Sequence, residues 1–344
     1  MPKSRSLIRI SLRFFGALLG LGLLGYLVFR TGPGVVWKQV QEVGWGLALI
    51  IILGGFSQLI KTCAWRQTFV CDISGLSWPR SFGVQLVSDA MGQLGLAGKL
   101  IGEGLRVSLL GSVVPLPRGI SAAAIDGALH TFTAAVVTVL GIIATLLLAH
   151  LSGRWRVDAL LLAAVLIALV ALAAVAVASR WPLMGDAARA IGRLPRFQNW
   201  VSSKQPIIDS AEHNLLTFHR DAPAAFWASL TLNLLCHALA VLEVYLILRF
   251  MGARIAAVGA FVLEGLTKVI NLVGVLNPGN LGTYEGGNML IAKILGVPGT
   301  AGLTLALCRR ARGVFWAGVG AMCMIMMKRA SGQSKTEVKL DPTA

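Results

Sequence analysis

Residues 271–288 read NLVGVLNPGNLGTYEGGN, a polar break set inside an otherwise apolar stretch. Pro278 lacks an amide donor, and Gly279 and Gly282 permit turns, so 277–282 does not sustain a continuous helix. Outward from the break, residues 256–296 divide into two halves. The first carries Glu264, Lys268 and Asn271; the second carries Tyr284, Glu285, Asn288 and Lys293. Residues 81–112 repeat the plan around Gly92, Gly95, Gly98, Gly102 and Gly104, with Gln85, Asp89, Gln93, Lys99, Glu103 and Arg106 along them. Each half would be a helix of about 20 Å, shorter than a bilayer core of about 30 Å. Both segments therefore read as re-entrant helical hairpins, because irregular backbone at membrane depth survives only when buried in protein or facing water. Two tight full-length hairpins are the alternative; either form returns the chain to the side it came from.

The surroundings are those of a membrane protein. Of 344 residues, 56% are hydrophobic and only 13% charged, with 39 glycines besides and a mean hydropathy of +0.75. Such a chain cannot cover itself with polar surface. The composition excludes an ordinary soluble enzyme, a disordered chain and a disulfide-stapled domain; continuous apolar runs argue against a β-barrel. Six full spans are expected, near 10–29, 44–63, 118–149, 157–179, 223–249 and 299–327. The fold class is thus an all-α polytopic membrane protein with two re-entrant hairpins. Residues 1–330 form one transmembrane domain, 180–222 lies at the cytoplasmic membrane surface, and 331–344 is a disordered tail. Lys3, Arg5, Arg9 and Arg13 precede the first apolar run with no small-residue cleavage site after it, which reads as a retained helix. The five cysteines lie scattered, with no CxxC, and read as packing residues.

The net charge of +16 fits a positive-inside bias, and nucleic acid is excluded as a partner for want of a soluble basic domain. With the N-terminus inside, Lys and Arg favour the inner segments roughly three to one, which puts both termini in the cytoplasm. Span two, hairpin one and span three then form a unit inverted relative to span five, hairpin two and span six. Inverted repeats with broken helices recur in transporters, and their substrate site lies where the repeats meet.

Ionisable groups at membrane depth are functional candidates. Glu103 and Arg106 are spaced i,i+3, and Glu264 precedes Lys268 by four. Asp126 and His130 share a face of span three; Asn233 and His237 share a face of span five. The strongest signal is Arg309, Arg310 and Arg312. Arg309 and Arg312 share a face, whereas Arg310 is expected to point elsewhere. A guanidinium grips phosphate at two points, so a phospholipid headgroup is its natural ligand, and the break glycines add backbone amides. The plainer readings are that the Glu/Arg and Glu/Lys pairs merely neutralise each other, that the histidines are satisfied interior hydrogen-bonders, that Asp126 is solvated at the cytoplasmic end, and that the arginines snorkel. Candidate substrate-binding residues are Arg106, Glu103, Asn277, Gly279, Gly282, Tyr284, Glu285, Arg309 and Arg312. Asp126, His130, His237, Glu264 and Lys268 form a candidate proton or charge relay. No Walker A, HExxH, GxSxG or paired-Asp metal motif is present, so neither a catalytic residue, a cofactor nor a metal is expected.

Ala64-Trp65-Arg66, then Gly98…Gly102-Glu103…Arg106, and above all Asn277-Pro278-Gly279-Asn280-Leu281-Gly282-Thr283-Tyr284-Glu285 followed by Arg309 and Arg310, resemble the flippase-like integral membrane family named after the transmembrane region of lysylphosphatidylglycerol synthase. The likeness covers about 10–330; the first hairpin break lacks the proline the family usually carries there. The resemblance implies movement of a polar or charged lipid between the leaflets of the inner (plasma) membrane. In bifunctional relatives a soluble domain aminoacylates phosphatidylglycerol and the membrane part carries the product outward. This chain, ending at Ala344, resembles the transport half alone, and stand-alone relatives linked to hopanoid synthesis leave a hopanoid lipid open. Membrane lipids are the expected partner. A homo-oligomer, a lipid-synthesis enzyme as partner, a non-transporting assembly role and a headgroup-modifying enzyme remain as alternatives.

Overall fold

The computed structural model describes residues 29, 33–71, 73–92, 96–110, 113–148, 153–194, 196–274, 277 and 280–340. Among these residues the chain is helical, with no strand. The helices are α1 (Pro33–Val43), α2 (Gly46–Gln67), α3 (Trp78–Gly92), α4 (Leu96–Ser108), α5 (Leu116–Leu148), α6 (Gly153–Ala178), α7 (Leu183–Gly192), α8 (Gln198–Asp221), α9 (Pro223–Phe250), α10 (Ala257–Val273), α11 (Thr283–Ile294) and α12 (Gly299–Leu340).

Four of them, α2, α5, α6 and α9, are long and apolar enough to cross a membrane. Among the described residues these are four of the six expected spans. The first expected span lies outside the described residues, save Phe29. The sixth is a helix, α12, with Arg309, Arg310 and Arg312 near its start. The helix also runs on through 331–340, where a disordered tail was expected; Lys, Gln and Glu in that stretch are good helix formers.

Two helix pairs, α3/α4 and α10/α11, are short and interrupted where the glycine-rich and Asn-Pro-Gly breaks fall in the sequence. Together with their neighbours they make two units, α2–α5 and α9–α12. The packing of the units is reciprocal. Helix α3 of the first unit lies on α12 of the second, and α10 of the second lies on α5 of the first. Likewise α2 packs on α12 and α9 on α5, while α2 and α9 pack on each other. Both crossings need glycine. A Cβ on Gly141 of α5 would stand 3.0 Å from the Gly265 Cα of α10. One on Gly320 of α12 would stand 2.7 Å from the Leu86 carbonyl oxygen of α3. At such distances backbone meets backbone, and no side chain can yield.

The apolar core sits beside the second unit, where Ile50, Ile247, Leu248, Leu263, Ile291 and Leu305 are buried together. A smaller cluster of Trp65, Leu76, Val84 and Leu110 anchors the first hairpin. Residues 183–221 form two helices packed on each other. Glu212 of α8 accepts the Met184 and Gly185 amides at 2.6 and 2.8 Å, capping the otherwise open start of α7. Arg189 joins Asp186 and Asp209 at 2.8 and 3.3 Å, and α8 lies along α5.

Candidate functional site

The breaks of the two hairpins open on one polar space. It has two lobes, of about 580 and 470 Å³, and both are lined by Lys61, Asp89, Gly92, Lys99 and Asn271. Gly92 and Lys99 flank the first break; Asn271 precedes the second. The first lobe adds Asn277, Asn280, Tyr284, Arg309, Arg310 and Arg312. The second adds Glu103, Arg106, Asp126, His130 and Asn233.

The second break holds its shape through its own side chains. Gly282 has φ +74°, and Asn280, without being glycine, has φ +52°. Both sit in the left-handed region that Gly and Asn tolerate best. The Asn280 side chain donates to Asn271 at 2.8 Å and accepts from Thr283. Asn277 donates to the Leu281 carbonyl at 2.6 Å. Glu285 is fully buried and accepts the Gly282 amide at 2.7 Å, so a carboxylate caps the first turn of α11, where the helix dipole favours it. Its other oxygen takes Arg310, which also donates to the Asn280 carbonyl at 3.1 Å.

Arg310 therefore does not point away from the site: it lines the first lobe and ties α12 to the break. The three arginines of α12 between them reach three carboxylates of the surrounding helices. Arg309, nearly buried, stands 2.8 Å from Glu264 and 3.3 Å from Glu243, donates to the Ala240 carbonyl at 2.9 Å, and reaches the Tyr284 hydroxyl at 3.5 Å. Arg312 takes Glu243 at 2.9 Å. Glu264 also holds Lys268 at 3.0 Å. Buried charges persist only when paired in this way.

In the second lobe Arg106, also buried, stands 2.8 Å from Asp126 and 3.3 Å from Glu103, its guanidinium 4.1 Å above the Trp65 ring. Asp126 is thus part of the interior network. Lys61 pairs with Asp89 at 3.1 Å, and Gln58 donates to Asp89 at 2.6 Å.

The candidate relay is brought together as well. His130 Nδ1 stands 3.1 Å from Asn233 Oδ1, an acceptor, so that nitrogen carries the hydrogen. Lys268 Nζ lies 3.2 Å from His237 Nδ1, which must accept; His237 Nε2 then donates to Thr133 at 3.2 Å. The two imidazole rings are 5.2 Å apart, in contact without a hydrogen bond. From His237 the contacts continue through Lys268 and Glu264 to Arg309.

Every predicted site residue that the structure describes lies at these two lobes or in the network behind them; Gly279 lies outside the described residues. Arg310, Lys61, Asp89, Lys99, Asn271, Asn280 and Glu243, which were not among the candidate binding or relay residues, also border the lobes or the network behind them. Asp89, Asn271 and Glu243 carried a legible signal, a polar side chain set inside an otherwise apolar stretch. Among the described residues, no cluster of His, Cys, Asp and Glu is arranged to hold a metal ion.

The family model described as the lysylphosphatidylglycerol synthase TM region matches residues 13–320. No curated protein and no solved structure matches this chain.

Proposed function

This chain belongs to the lysylphosphatidylglycerol synthase TM-region family, a helical membrane protein with several apolar helices, and from that premise we propose that it is a lipid flippase. A polar or anionic headgroup crosses through the two-lobed space while the acyl chains stay in the bilayer. The observation that carries this reading is the meeting of two helix breaks at a polar cavity lined by charges of both signs. Lipid offers no partner to such groups, so the space is one for water and headgroups.

In this reading α3/α4 and α10/α11 are re-entrant hairpins entering from opposite faces, and the units α2–α5 and α9–α12 are inverted repeats. Their lengths support it: 15, 13, 17 and 12 residues are each short of the roughly 20 a span needs. The reciprocal packing of the units supports it too. Exposed tryptophans fall into two belts when the chain is so threaded: Trp37, Trp45 and Trp155 at the outer end, Trp78, Trp181 and Trp227 at the inner end. Both termini then face the cytoplasm, and α7/α8 lie on the inner surface of the plasma membrane.

Arg310 and Arg312 offer guanidinium donors to the headgroup phosphate, with Asn277, Tyr284 and the break amides beside them. Arg309 and Arg106 are mainly positioning groups, because each is buried against carboxylates. The chain moves lipid and does not modify it. The test is reconstitution of the protein in liposomes with fluorescent phosphatidylglycerol and a membrane-impermeant quencher. Full quenching in protein-containing vesicles, against half in empty ones, is the expected result. Equal quenching in both, across several lipid classes, would contradict it.

A further inference from the structure

Charge balance around the cavity singles out one residue. Of the cations lining the two lobes, Lys61, Arg106, Arg309, Arg310 and Arg312 each have a carboxylate within ion-pair distance. Lys99 has none among the described residues. It is exposed, on the first helical turn after the break of the first hairpin. It lines both lobes, as does the neutral Lys61–Asp89 pair beside it. Counted with the groups behind them, the two lobes hold seven cations against six carboxylates, a net of one positive charge, and Lys99, which borders both lobes, is the cation without an ion-pair partner among the described residues.

A lysine at that depth is costly unless water or an anion meets it. Its ammonium is a compact point charge with three rotating donors, suited to a phosphate that turns as it moves. A paired guanidinium can hold a phosphate only by sharing it with its carboxylate. Lys99 has no such competitor. One extra cation also discriminates: a phosphodiester headgroup with net charge −1 neutralises it, whereas a zwitterionic headgroup brings its own ammonium into a space that already holds one too many.

We propose that Lys99, at the waist of the cavity beside the Lys61–Asp89 pair, is a phosphate-binding subsite that selects phospholipids of net negative charge over zwitterionic ones. It rests on the flippase reading for its role in transport, but not for binding. The subsite would be the step between the Arg310/Arg312 lobe and the Arg106/Asp126 lobe.

Binding is therefore measured first, with the full chain in a neutral detergent and short-chain phosphatidylglycerol or phosphatidylcholine as the probe, by calorimetry. Wild type is expected to bind phosphatidylglycerol about tenfold more tightly than phosphatidylcholine, as one charge-assisted contact allows. Lys99→Gln is expected to lose that preference, and Lys99→Arg to keep it, which separates charge from folding. Equal binding of the two lipids by wild type, or an unchanged preference in Lys99→Gln, would overturn the proposal. So would displacement of the lipid by an equimolar amount of inorganic phosphate, since the subsite would then serve free phosphate rather than a headgroup. Flipping of the same two lipids in liposomes follows. Loss of phosphatidylglycerol selectivity in Lys99→Gln supports the subsite; absence of flipping by every variant, with the binding preference intact, counts against the flippase reading alone.

Discussion

In the first unit the hairpin supplies the cation and the following helix the anion: Arg106 on α4 faces Asp126 on α5. In the second unit the same junction is reversed, with Glu285 on α11 facing Arg310 on α12. The exchange changes what each pair does. A carboxylate at the start of a hairpin helix can also accept backbone amides, and Glu285 does so, joining the break of the second hairpin to the long helix behind it. An arginine cannot cap a helix start. Arg106 instead lies near the end of α4, flat against Trp65. Both units close the hairpin onto a neighbouring helix by an ion pair, but only the second makes the pair part of the break.

The largest effect is expected where a cation is most deeply committed. Arg309→Met leaves Glu243 and Glu264 buried with a reduced set of partners. Loss of about 3–5 kcal/mol is expected, read from unfolding in mixed micelles. A loss below 1 kcal/mol would mean the network is solvated rather than structural.

Next comes the contrast between the two junctions. Glu285→Gln removes the charge that meets Arg310 and weakens the cap at Gly282; about 2–3 kcal/mol is expected, with faster amide exchange confined to 280–288. Arg106→Met removes a partner from Asp126 and Glu103, which border the second lobe and can be hydrated there. About 1–2 kcal/mol is expected, with exchange in the second hairpin unchanged. The opposite order of costs would refute the distinction between the two breaks.

A last pair of variants tests the helix crossings. Gly265→Ala forces a methyl into the Gly141 backbone and should cost about 1–3 kcal/mol. Gly318→Ala, on the same long helix as Gly320 but with open space around it, should leave stability within about 1 kcal/mol, on the stabilising side. Thermal midpoints of the two variants in one detergent compare them directly.

Much of the architecture was legible because membrane helices and their interruptions are written in runs. The glycine-rich break at Gly92 and the Asn-Pro-Gly break at Asn277 were read directly, and both prove to border one cavity. The helix positions of α2, α5, α6 and α9 follow from their apolar runs. What sequence could not supply was which helix face meets which neighbour. Arg310 stands 100° around the helix from Arg309 and was expected to leave the site; the helix is surrounded by polar elements, so both directions meet carboxylates. The expected span 44–63 ends just past Lys61, yet α2 continues to Gln67, so Lys61 sits more than a turn inside the helix. Asp89 gained its meaning only when α3 was laid beside α2. Glu212 as a cap for α7 lies 28 residues from the Met184 amide it accepts, and nothing local marks such a pairing.

Passage of a headgroup requires water in the space between the breaks. A variant with the five natural cysteines replaced would carry a single cysteine at Asn271, which lines both lobes, or at Leu169, on the exposed face of α6. In sealed vesicles a charged, membrane-impermeant thiol reagent should modify Asn271→Cys at least tenfold faster than Leu169→Cys, and added phosphatidylglycerol should slow it. Equal, negligible labelling at both positions would mean a dry centre, and the cavity could not carry a headgroup.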